Sequence, residues 1–242
     1  MLRGSFNKTF KFQSIVTSDI LRKVAHYLHS RSEIVKYEFE TSDGAKYDTE
    51  SIDNIIGYSN PSDAMIEKIS LIAQKKEEDR YFAQNFIIVK FYDRESWDSS
   101  ASLYIADASS DEIAAISKEL GGIIKLAKAN YSWIYSSKFL NSIGLILSMA
   151  ISILLYSYVV PLIKESNPSW YIVYLLLQFA ILGCLFRLFV KIREWAYPES
   201  VFNIGEQEAS YKMIIKRRNY ILGVISTIVL GVLSSICATK YF

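Results

Sequence analysis

His26 and His29 are the two histidines of the chain, and their i, i+3 spacing places them on neighbouring faces of one helix. Such a pair suits two ligands of a metal ion, but two ligands do not make a site. The scattered serines give neither histidine a nucleophile to activate. The chain also lacks the glycine-rich phosphate loop, the dinucleotide fingerprint, the nucleophile elbow and the H-E-x-x-H zinc motif. No catalytic residue, metal or cofactor is therefore expected, and the chain reads as a non-enzyme.

Other residues point to contact rather than catalysis. Trp97 stands within the charged run Asp93 to Asp98, where an indole in a turn reads first as buried over the sheet end and otherwise as a partner contact. Lys75 to Arg80 mixes both signs and reads as a solvated hairpin loop. Lys216, Arg217 and Arg218 form a basic triplet suited to the surface of an anionic lipid. Gly223, Thr227, Gly231 and Ser235 recur every four residues, as do Gly144, Ser148 and Ser152. On a helix each set makes a narrow groove that lets a second backbone approach. Cys184 and Cys237 lie in apolar stretches and read as small packing residues.

The elements that hold these residues differ between the two parts of the chain. Of 242 residues, 51% are hydrophobic, 14% aromatic and 21% charged, with a formal net charge of +2. Residues 1–138 carry 18 basic and 20 acidic side chains, and residues 139–242 carry 9 and 5. This balance excludes disorder, a disulfide scaffold and a nucleic-acid binder driven by bulk charge. The second part contains three long apolar runs, 139–163, 170–190 and 219–239, free of charge apart from Arg187. At about 1.5 Å per residue each is long enough for a hydrocarbon core of ~30 Å, so three transmembrane helices are expected. Arg187 falls in the last turn of the second.

The opening MLRGSFNKTFKFQ has no apolar core and predicts no signal peptide. The loop from 191 to 218 is basic, whereas KESNPS between the first two runs holds one lysine. Basic loops favour the cytoplasm, which predicts a multi-pass protein with a cytoplasmic N-terminus and its C-terminus outside.

Residues 1–130 read as one α+β domain, an antiparallel sheet with helices on one face. Alternation marks strands near 9–15, 35–40, 46–48, 67–74, 82–92 and 101–106. Asp43-Gly44 marks a hairpin turn. A helix from Ser18 to Ser30 is capped by Thr17 or Ser18, and a brief one from Glu50 to Ile56 ends at Gly57. Ser109-x-x-Glu112 is a capping box opening the last helix. A short interfacial link, 131–138, leads on from the domain, and the 191–218 segment reads as a basic loop running into an amphipathic helix.

Together these features predict an integral membrane protein whose cytoplasmic domain is a binding, sensor or adaptor module. Its expected partners are the lipid bilayer, anionic lipid, and a further protein or copies of itself, without nucleic acid. The alternatives are an effector that oligomerises into a pore or perturbs the bilayer, and a membrane-tethered enzyme. Expression separates the first two, through growth arrest with depolarisation; a cleft with convergent polar groups would mark the enzyme.

Overall fold

Alternation between apolar and polar side chains gives most of the strands, and six of them pair antiparallel in one sheet. The computed structural model describes residues 3–75, 84–92, 100–136, 138–139, 141–142, 144–146, 148–149, 153, 170–197 and 200–241. The chain divides into two compact units, Met1–Ala129 with Pro198–Phe242, and Asn130–Tyr197.

In the first unit the strands are β1 (Arg3–Phe10), β2 (Ser14–Thr17), β3 (Ile34–Thr41), β4 (Lys46–Thr49), β5 (Ile66–Lys75), β6 (Gln84–Tyr92), β7 (Ala101–Ser109) and β8 (Ser200–Asn203). Six of them form a sheet in the order β1-β7-β6-β5-β3-β4. Val35, Tyr37 and Phe39 of β3 share the buried face with Ile69 and Leu71 of β5, Ile87, Val89 and Phe91 of β6, and Leu103 and Ile105 of β7. Helices α1 (Ser18–Arg31) and α3 (Ser110–Leu126) pack on this face and against each other. The antiparallel sheet with helices is thus as expected.

Local chemistry fixes the ends of these helices. Thr17 Oγ1 accepts from the Ile20 amide at 3.4 Å and starts α1. Ser109 and Glu112 form the reciprocal capping box of α3. The short α2 (Ile52–Ile56) starts two residues inside the expected Glu50, is capped by Ser51 and closes at Gly57. Gly44 takes a φ of +83° in the β3–β4 turn.

A second, two-stranded sheet pairs β2 in parallel with β8, Ser14 to Thr17 opposite Ser200 to Asn203. The same β2 segment is bound on its other side by the chain leaving α3. The Ile15 amide donates to Ala127 O at 2.7 Å, and the Ala129 amide to Gln13 O at 2.8 Å. Phe202 and Ile204 complete the hydrophobic core. Helix α5 (Gln207–Tyr241, 35 residues) then leaves this seam.

The second unit contains a 3-10 turn (Ser132–Tyr135), helical residues between 138 and 153, and helix α4 (Trp170–Ala196, 27 residues). Within it Tyr135 Oη donates to Tyr197 O. The Arg193 guanidinium lies 4.3 Å from the Tyr135 ring centre.

Among the described residues, no helix is long and apolar enough to cross a membrane. This overturns the expected domain of three transmembrane helices. With it go the reading as a multi-pass integral membrane protein, the cytoplasmic and outer assignments of the termini, and the membrane-acting effector. An uncharged run in a sequence is not in itself an apolar helix of spanning length. Most of 139–163 lies outside the described residues. In α4 the uncharged run ends at Arg187, and Lys191, Arg193 and Glu194 follow in the same helix. In α5 the described side chains of the third run mix Leu222, Val224 and Leu230 with Ser226, Thr227 and Ser234. The three hydroxyls donate to Leu222 O, Gly223 O and Gly231 O within the helix.

Candidate functional site

The outer face of α1 carries a set of charged and aromatic groups beside a cavity. Ile20, Leu21, Val24, Ala25 and Leu28 turn α1 onto the sheet. The 3.6-residue period then sends two ladders outward, Arg22–His26–Ser30 and Lys23–Tyr27–Arg31. Helix α3 buries Ile116, Leu120 and Ile124, which leaves Glu119 and Ile123 beside those ladders. Between the helices runs an open groove of about 620 Å³.

Each permanent cation of the groove has a carboxylate partner at its edge. The Arg22 guanidinium lies 3.2 Å from Asp53, Lys23 Nζ 2.7 Å from Asp19, and Arg31 3.8 Å from Glu119. Arg31 also lies 5.5 Å from the Tyr27 ring centre. The Tyr27 hydroxyl is buried, with Glu119 and Arg31 beside it. Burial, with the Glu119 carboxylate facing it, raises the Tyr27 phenol above its ordinary 10.0.

The two histidines serve separate surroundings. His26 lines the groove, whereas His29 Nε2 is 2.9 Å from the hydroxyl of fully buried Tyr37. Among the described residues no three His, Cys, Asp or Glu side chains gather in a way that could hold a metal.

On the open face of the sheet, Glu40 lies 3.7 Å from Lys46 and 3.8 Å from Lys68. The hollow they border is shallow, about 100 Å³. This is a cross-strand charge cluster of the kind that stabilises a solvated sheet face.

No protein-family model, curated protein or solved structure matches this chain.

Of the residues singled out by sequence, His26 lines this groove. Trp97 and Ser152 lie outside the described residues. Lys216 is exposed on α5, with Arg217 and Arg218 half-buried beside it. Gly223, Thr227, Gly231 and Ser235 follow on the same helix, and Gly144 and Ser148 sit in the helical residues before 153. A Cβ built on Gly144, Gly223 or Gly231 would meet nothing within 4 Å among the described residues. Cys184 is exposed on α4.

Sequence reasoning missed Arg22, Lys23, Arg31 and Glu119, which look like the ordinary solvated side of amphipathic helices. Their signal was the i, i+4, i+8 ladder itself. It also missed the clamp at the seam. Asn60 Oδ1 accepts from the Ile66 amide at 2.7 Å, and its Nδ2 donates to Ile204 O at 3.4 Å. Gln207 Nε2 donates to Asn60 O, and the Glu206 amide to Ser59 O.

Proposed function

We infer that this chain is a non-enzymatic interaction protein that assembles with copies of itself through helix α5. The observation that carries the reading is the apolar surface α5 leaves uncovered. Met213 is 51% exposed, Tyr220 71%, Leu222 51% and Leu230 66%. Large exposed apolar patches on a rigid element mark surfaces that another body covers.

A second copy fits this helix better than an unrelated partner. A Cβ on Gly223 or Gly231 would meet nothing within 4 Å among the described residues, and exposed Tyr220 and Leu230 stand on the same side of the helix. An identical helix presents the same small residues for close approach and the same large ones to fill the flanks, which is the self-complementarity a two-fold interface needs. Residues 213–230 span about 26 Å of helix. The clamp at Asn60 and Gly205 holds the start of α5 on the sheet domain, so pairing of the helices would bring the domains together.

Sedimentation of the purified full chain tests this directly. The expected mass is a multiple of 27.7 kDa. Leu222→Glu with Leu230→Glu should shift it to the monomer while the helical signal persists. A monomeric wild type, or a monomer that instead floats with anionic vesicles, would overturn the reading.

A further inference from the structure

We propose that the groove between α1 and α3 binds a soluble phosphate-bearing ligand of nucleotide size through Arg22, Lys23 and Arg31. The groove, about 620 Å³, falls within the ~300–1,000 Å³ of small-molecule sites. Its lining holds three permanent cations and the carboxylate of Glu119, while Asp53 and Asp19 pair with Arg22 and Lys23 at its edge. These cations come from one helix at spacings of one and eight residues, so their positions are set by backbone rather than by a loop.

Their present partners are replaceable. All three ion pairs are exposed on both sides, and exposed carboxylate pairs contribute little to stability. They nevertheless hold the long side chains in place. A polyphosphate presents several oxyanions to neighbouring cations at once and forms stronger, charge-assisted hydrogen bonds than a single carboxylate. Arginine is the better of the two cations for that fork-like recognition.

The rest of the groove matches the remainder of such a ligand. Ile123 and the Tyr27 ring give an apolar surface suited to a flat ring.

Calorimetric titration of the full chain with ATP, tripolyphosphate and adenosine at physiological salt tests the assignment. ATP and tripolyphosphate should bind, with adenosine at least tenfold weaker. Arg22→Gln with Arg31→Gln should weaken ATP binding at least tenfold and leave the melting temperature unchanged, because both side chains are exposed. Absence of heat with both polyphosphates would overturn the proposal. So would equal binding of adenosine, wild-type affinity in the double variant, or retention on phosphatidic acid vesicles with no ATP binding. The self-association measured by sedimentation is a separate readout, so either reading can fail alone.

Discussion

Two residues show how far a single position can govern this fold. Tyr37 is wholly buried, with its hydroxyl on His29. Burial, reinforced by the Asp53 charge, raises its phenol above the ordinary 10.0. A raised folded-state pKa means that the folded protein holds the proton more tightly than the unfolded chain. The resulting stability is complete below pH ~10 and is lost as pH rises through the folded value. Thermal melts between pH 7 and pH 11 should therefore fall at the alkaline end. Tyr37→Phe should make that fall shallower while costing about 1 kcal/mol at neutral pH for the lost hydrogen bond; profiles of equal steepness would show that another group governs it. Gly205 is the second such residue. Its φ is +59°, and an added Cβ would lie 2.4 Å from Ser59 O. Gly205→Ala combines left-handed strain with a backbone clash and should cost at least ~2 kcal/mol in urea denaturation. A loss of only a few tenths would mean that the 58–60 turn can move aside.

At the scale of elements, the sheet was legible because its strands carry apolar residues at every second position over long enough runs, as Val35, Tyr37 and Phe39, Ile87, Val89 and Phe91, and Leu103 and Ile105 do on the buried face. Helices α1 and α3 were legible from Thr17 and from Ser109 with Glu112. β8 was not, since four residues give no period and its partner β2 lies far back in the chain. The opening of β1 was missed for a related reason: it is an edge strand, largely exposed from Arg3 to Lys8. The apolar runs of α4 and α5 misled because lack of charge does not say what covers a helix. The groove was hidden because a basic helix face reads the same whether water or a ligand sits against it. What β8 contributes is measurable. Ile204 follows it directly and is completely buried, so Ile204→Ala should destabilise the first unit by about 2–4 kcal/mol through the lost contacts and the cavity left. An effect below ~1 kcal/mol would mean that the segment rests on the core without completing it.

For the whole molecule, assembly and stability are linked. If α5 pairs between copies, the paired state adds free energy that scales with concentration, and the melting temperature should rise across a hundredfold increase in protein. A melting temperature independent of concentration would place the apolar helix faces outside the stabilising interactions. The seam between β2 and β8 has a consequence in time as well. Leu126 closes α3, and Phe202 follows 76 positions later. At the usual ~5–20 residues per second of synthesis, roughly 4–15 s pass between them. Hairpins form and chains collapse within microseconds, so the six-stranded sheet has time to close long before its last two core residues emerge. Until then β2 has one free edge and the hollow awaiting Ile204 stays open. The nascent chain thus passes through a nearly complete domain with an exposed strand edge and an apolar hole, the state in which a chaperone or a neighbouring nascent chain has most to grip.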